Sequence, residues 1–189
     1  KGKERKTRIL EFESIQAVQV VANNSKLYVN REDGFIGYGL KKDEFVKECF
    51  DIDDIIVFRA DGKMIVSRIS EKTFVGKDII YVDVWKKGDE RTTYNIIYLD
   101  GESGRSMAKR FNVTGITRDK EYDLTKGHPK SKSLYFSGNP EGEAELVTVF
   151  LTPGCKAKIK SFDFDFSELE IKGRSSQGNI VTKYPVRKI

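Results

Sequence analysis

Histidine, cysteine, methionine and tryptophan are scarce in this chain of 189 residues, which has one, two, two and one of them. The lone histidine, His128, sits in a polar Gly127-His128-Pro129 stretch. That leaves no basis for a Ser-His-Asp triad or a histidine metal site. Cys49 and Cys155 lack paired spacing and nearby histidines, so neither a disulfide framework nor a zinc site is indicated, and a reducing cytoplasm is the expected setting. No apolar run approaches the roughly 18 residues of a membrane span. The basic start, Lys1-Gly2-Lys3-Glu4-Arg5-Lys6, has no apolar stretch behind it and reads as a linker, not a signal peptide. Helix signals are nearly absent as well. Only residues 43–48 carry a faintly helical pattern, at a place where other repeats carry a strand.

What the chain does have is β-branched and aromatic runs punctuated by turns. Residues 55–58, 79–82, 95–98 and 147–150 are strong strand signals. A hairpin signature recurs four times: residues 18–22 with Asn23-Asn24, 55–58 with Asp61-Gly62, 95–99 with Ser103-Gly104, and 146–151 with Pro153-Gly154. The turns lie 38, 42 and 50 residues apart, the period of four-stranded propeller-type blades. A second comb, Gly37, Gly76 and Gly115, repeats every 39 residues. Residues 162–166 alternate Phe and Asp, which predicts a half-buried strand. The stretch 127–145 reads as an enlarged loop around a strand at 133–136.

Charge is unevenly distributed. Residues 1–31 hold seven Lys/Arg against three acids, and residues 150–189 hold eight against four, so each end is +4, while residues 32–149 are −3. If the array closes, its two ends meet and their positive charge merges into one sector. A cation also follows each of the last three turn glycines by six residues, at Arg68, Arg110 and Lys160, with Lys63, Arg105, Lys109, Lys156 and Lys158 nearby. Repeated cations on a curved array suit a bent polyanion, and cations beside glycine-loop amides suit phosphate oxygens better than base edges. Sequence-independent DNA binding is the expected mode. Asp43, Glu44, Asp51, Asp53 and Asp54 weigh against phosphate wherever they share its face. Asp163 and Asp165 are read as solvated strand residues, not a glycosidase pair. The glycines of residues 31–39 lack the Lys-Ser/Thr of a P-loop.

Stretches 54–63, 109–123 and 171–179 resemble the C-terminal domain of the A-subunit of bacterial type IIA topoisomerases, nearer to topoisomerase IV than to gyrase. The resemblance implies an all-β β-pinwheel, a disc of about four four-stranded blades that exchange strands, with double-stranded DNA bent around its basic perimeter. Residues 1–13 are then a linker and 14–189 the DNA-binding domain. Both a closed disc and an open C-shape fit the repeat count. The parent enzyme would be an ATP- and magnesium-dependent tetramer of two A-subunits with two ATPase B-subunits. Its cleaving tyrosine would lie upstream, so this fragment would hold no cofactor and cut no DNA. A monomeric isolated domain, no membrane partner, and a bacterial, chromosome-associated cytoplasmic setting go with that reading. The expected DNA-binding set is Arg31, Lys63, Arg68, Lys72, Lys77, Arg105, Lys109, Arg110, Arg118, Lys156, Lys158, Lys160, Lys172, Arg174 and Lys183. Where gyrase carries a basic box on its first blade, residues 30–37 here keep Arg31, Gly34 and Gly37 but add Glu32, Asp33, Phe35 and Ile36. Strong wrapping is therefore not expected. A gyrase wrapping domain and a protein-interaction propeller are the alternatives.

Overall fold

The computed structural model describes residues 24–189. In chain order its strands are β1 (Asn24–Asn30), β2 (Phe35–Gly37), β3 (Glu44–Phe50), β4 (Asp54–Arg59), β5 (Lys63–Arg68), β6 (Thr73–Phe74), β7 (Ile79–Trp85) and β8 (Thr93–Leu99). They continue as β9 (Ser106–Asn112), β10 (Tyr122–Asp123), β11 (Lys132–Asn139), β12 (Leu146–Leu151), β13 (Ser161–Asp165), β14 (Ile171–Gly173), β15 (Asn179–Thr182) and β16 (Val186–Lys188). One 3₁₀ turn spans Phe166–Glu168, and no α-helix occurs among the described residues.

Four sheets form, ordered β3-β1-β2-β6, β10-β5-β4-β7, β11-β8-β9-β14 with β15 also on β9, and β13-β12-β16. Each is built on a hairpin whose first strand takes a later strand on its other edge. The chain between them makes a detour to the preceding sheet. After β5 it places β6 on β2 and returns as β7. After β9 it places β10 on β5 and returns as β11. After β13 it places β14 and β15 along β9 and returns as β16. This strand exchange is the expected pinwheel pattern in an all-β chain. Strand counts of four, four, five and three replace the expected four per blade.

The uninterrupted apolar runs follow from burial on two faces. Alternate side chains of a strand point to opposite faces, so a strand covered on both sides reads as continuously apolar. In β4, Ile55 and Val57 pack with Leu27, Val29 and Ile36 of the first sheet. Ile56 and Phe58 turn the other way, toward Tyr94, Ile96 and Phe111 of the third. In β8, Ile97 joins Ala108, Val149, Leu151 and Phe166 in a third cluster, against the fourth sheet. The three clusters thus lie between consecutive sheets. Among the described residues none joins the fourth sheet to the first.

Among the described residues the first hairpin, β1–β2, turns at residues 31–34. Residues 18–23 lie outside the described residues, and Asn24 opens β1. Gly34 N–H closes the turn on Asn30 O at 3.0 Å, as Gly62 N–H does on Arg59 O at 3.0 Å. Both glycines are left-handed, with φ of 81° and 78°. In both, the exchanged segment runs against the turn. A Cβ on Gly34 would stand 2.3 Å from the Gly76 carbonyl carbon, and one on Gly62 would stand 2.4 Å from Thr125 Cγ2. Turn shape and close approach together require glycine there. The stretch matched to the gyrase box is therefore a tight hairpin turn.

Two further expectations are corrected. The faintly helical stretch is β3, paired along β1 with a T-shaped Tyr28–Phe45 contact at 5.7 Å. Pairing to β1 overrides a weak local pattern. The stretch 127–145 does carry the expected strand at 133–136, but as the eight-residue β11 it is an integral strand of the third sheet and not part of an enlarged loop. The Phe-Asp alternation does form β13 as far as Asp165, with Asp163 exposed and Phe162 and Phe164 half-buried, while the last phenylalanine, Phe166, is fully buried in the 3₁₀ turn that follows.

Candidate nucleic-acid interface

β7 touches β3 on one side and β11 on the other, so these edge strands share the inner side of the array. The exchanged strands β6, β10 and β14 occupy the opposite edges of their sheets. Each carries cations beside it: Lys72 and Lys77 around β6, Lys120 and Lys126 around β10, Lys172 within β14 and Arg174 just after it. Lys120 and Lys126 are not singled out by the turn-glycine spacing. The signal that would find them is a basic pair bracketing an aromatic, as in Lys72 and Lys77 around Phe74, or Lys120 and Lys126 around Tyr122.

The aromatic rings organise these cations. Lys72 Nζ lies 4.1 Å above the Phe35 ring, which itself packs edge-on with Phe74 at 5.3 Å. The Arg174 guanidinium lies 4.3 Å from the Tyr122 ring centroid, with Lys120 Nζ at 5.5 Å, and Arg174 also donates to Gly115 O at 2.7 Å. The second and third exchanged segments are thus joined by a cation on an aromatic face. Exposed Lys77, Arg105, Lys156 and Lys158 make no ion pair among the described residues. Lys183 lies 5.5 Å from the Tyr184 ring centroid, and Lys160 donates to Cys155 O at 2.5 Å.

Other expected cations are partly neutralised. Arg31 makes a fork to Glu44, with both contacts at 2.7 Å, and the guanidinium holds that carboxyl below its usual range. Lys63 lies 3.4 Å from Glu121, and Lys172 3.8 Å from Glu170. Arg118 forks onto Asp54 at 2.8 and 2.9 Å, while Arg68 approaches the same carboxylate at 3.9 Å. Two cations on one carboxylate leave a net positive charge.

Lys109 and Arg110 correct the expectation of an exposed basic row, being 2% and 7% exposed. Arg110 donates to Asn95 Oδ1 at 3.2 Å, Gly142 O at 2.8 Å and Glu143 O at 3.3 Å. Lys109 donates to Leu124 O at 2.7 Å, Ser176 O at 2.9 Å and Arg174 O. Burial, with Lys126 nearby, pushes the Lys109 ammonium down to about 7. The reason for both is the two-sided packing of β9, which leaves no solvent face at these positions. Arg59 is a further buried cation, donating to Val75 O at 3.1 Å as Lys109 does to Leu124 O. Val75 and Leu124 are equivalent: their N–H groups bond Gly34 O and Gly62 O, seating two exchanged segments on the preceding hairpin turns.

The expected merged positive sector rests in part on Lys1, Lys3, Arg5, Lys6 and Arg8, which lie outside the described residues, as does the expected linker 1–13. Asp163 and Asp165 serve local structure, accepting from Thr148 Oγ1 at 2.7 Å and Ser167 N at 2.7 Å. Among the described residues no cluster of three or more His, Cys, Asp or Glu has the arrangement of a metal site. No helix among them is long and apolar enough to cross a membrane.

Comparison with known proteins places this architecture. The A-subunit of DNA topoisomerase 4 from Borreliella burgdorferi is 27% identical over 190 residues, an alignment spanning 100% of this chain and 28% of that protein. The chain therefore corresponds to little more than a quarter of the relative's length. A solved structure, the crystal structure of the C-terminal domain of DNA topoisomerase IV, matches with a TM-score of 0.60 at 14% identity, covering 86% of this chain and 57% of the other. At that identity the likeness concerns the fold. Residues 26–189 match the family described as topoisomerase C-terminal domain, Bacteroidota. With nearly all of its length matched, the chain belongs to this family of topoisomerase C-terminal domains.

Proposed function

We propose that this chain is a DNA-bending domain of a topoisomerase IV-like type II topoisomerase, binding double-stranded DNA without reading its sequence. The observation that carries the reading is the recurrence of cations beside every exchanged strand, on the edge opposite the one shared by β3, β7 and β11. A duplex laid along these edges would meet Lys72 and Lys77, then Lys120 and Lys126, then Lys172 and Arg174. Phosphate contacts position DNA without carrying sequence information. The exposed Lys156, Lys158 and Lys160 extend the path onto the fourth sheet.

In this reading the domain contributes to choosing the topology of DNA that is relaxed or decatenated. ATP, magnesium, the ATPase B-subunits, the second A-subunit, and the cleaving tyrosine belong to the parent enzyme, which would act in the bacterial cytoplasm on chromosomal DNA. Gyrase-type wrapping is the weaker reading, because the first hairpin turn is acidic and its Arg31 is held by Glu44. The test is anisotropy of a labelled duplex over a range of salt. The DNA reading expects the logarithm of affinity to fall linearly with that of salt, by about 0.9 per phosphate neutralised. Absence of binding at low salt sinks it and favours a protein-interaction role.

A further inference from the structure

The two ends of the array finish differently. In the first sheet, Leu27, Val29, Ile36 and Cys49 turn toward the second sheet, so the residues alternating with them face outward. Register puts five aromatic rings there: Tyr28 opposite Phe45, Phe35 opposite both Asn30 and Phe74, and Phe50 opposite Asn24. Phe45, Phe50 and Phe74 are 50%, 46% and 59% exposed. Lys26 and Glu48, the charges among these outward strand residues, stand opposite each other, and Lys72 lies over the Phe35 ring. The outward positions of the fourth sheet instead pair Thr148 with Asp163, Leu146 with Asp165 and Phe150 with Ser161, and Lys188 lies 4.8 Å from the Phe150 ring centroid.

An end unit of a stacked array needs a polar outer face. The fourth sheet has one and the first does not. Packing the fourth sheet on the first would bury Asp163 and Asp165 against aromatic rings, which is costly. A second copy would be held weakly, since the three exposed phenylalanines offer about 300 Å², well short of the roughly 800 Å² per partner of a stable interface. A tethered segment needs less area, because its local concentration is on the order of millimolar. Residues 15–22, outside the described residues, comprise six apolar residues and two glutamines, and they reach β1 through Asn23-Asn24, a pair that favours turns. Extended, they span about 26 Å, enough to run the length of the seven-residue β1.

We propose that residues 15–22 of this same chain cover the aromatic outer face of the first sheet, with Val18 and Val20 against Phe45, Phe50 and Phe74. Two residues apart, these valines share one side of an extended segment. Covered in this way, the first sheet has no face left for the fourth, and the array stays an open arc. The assignment stands on the two end sheets and does not depend on DNA binding.

The test is NMR of the whole chain with labelled valine methyls and phenylalanine rings, read for nuclear Overhauser contacts at two protein concentrations and in a mixture of differently labelled copies. Contacts from the Val18 and Val20 methyls to the Phe45, Phe50 or Phe74 rings are expected within one molecule and unchanged by dilution. Val18→Asp/Val20→Asp should remove them and speed hydrogen exchange of first-sheet amides about tenfold, leaving third-sheet amides as they were. Leu146→Asp, on the outer face of the fourth sheet, should change neither. If the double variant does not fold, the wild-type contacts alone decide. Ring contacts to Leu146 or Thr148 of the same chain would mean closure by the fourth sheet and overturn the proposal. Contacts seen only between differently labelled copies would assign the face to a second copy and overturn it as well. Rings that touch no residue of 15–22, or first-sheet exchange that ignores the double variant, would do the same.

Discussion

The third and fourth sheets use similar sequences of cations in opposite ways. Arg110 and Lys160 stand six residues after equivalent turn glycines, yet Arg110 is sealed between strands while Lys160 is exposed. The difference lies in the neighbours. β8 and β9 are buried from nearly every side, so a cation there must bond the chain's own carbonyls. β12 buries Val149 and Leu151 on one face and leaves Leu146 66% exposed, and its loop cations stay in water. Position in a repeat thus does not decide whether a basic residue faces a ligand; the number of covered faces does.

The largest effect that would sharpen this comparison is expected in the core. Phe58→Ala, between the second and third sheets, should destabilise by about 3–5 kcal/mol, against about 0.5 or less for Leu146→Ala, both read by urea unfolding. Next, Arg110→Met strands Asn95, Gly142 and Glu143 oxygens and should lose about 2–3 kcal/mol with little change in the salt dependence of DNA binding by the folded protein. The triple variant Lys156→Ala/Lys158→Ala/Lys160→Ala should do the reverse, keeping its urea midpoint and lowering the salt slope by up to about 2.7. If Arg110→Met flattened the slope instead, the contrast between the sheets would collapse.

Glycine substitutions offer a smaller version of the same contrast. Gly62→Ala meets Thr125 as well as a left-handed φ, while Gly104, with φ of 68°, has nothing within 4 Å of an added Cβ. Gly104→Ala should lose about 1 kcal/mol and Gly62→Ala clearly more, by thermal unfolding. For pH, burial sets the native Lys109 value near 7, below the unfolded lysine value of about 10.4. Above pH 7 the native state binds fewer protons than the unfolded chain, so this group's contribution is lowest below pH 7 and rises toward pH 10. The urea midpoint of the wild-type chain should gain on that of Lys109→Met across this range. Smallest of all, Glu44→Gln breaks an exposed fork and should lose less than about 1 kcal/mol, the pair's contribution being present above the unfolded glutamate pKa and fading as pH falls.

The strands and hairpins are legible wherever a run is apolar throughout, as in residues 55–58, because two-sided burial writes itself into composition. The first hairpin is not, since β2 is three residues long and its acidic turn resembles a decayed basic box. β3 escapes notice because an edge strand carrying Glu44, Lys47 and Glu48 lacks a strand pattern of its own. Charge counting locates the basic segments but not the orientation of each side chain. Lys109 and Arg110 look like any exposed pair in sequence, and only the pairing of β9 with β8, β14 and β15 turns them inward.

End-to-end fluorescence transfer in a doubly labelled duplex, titrated with the whole chain at low and high salt, tests the bending claim most directly. Transfer should rise on binding, fall back at high salt, and rise less with Lys156→Ala/Lys158→Ala/Lys160→Ala than with the wild-type chain. Binding that leaves transfer unchanged would contradict a path bent along the exchanged strands.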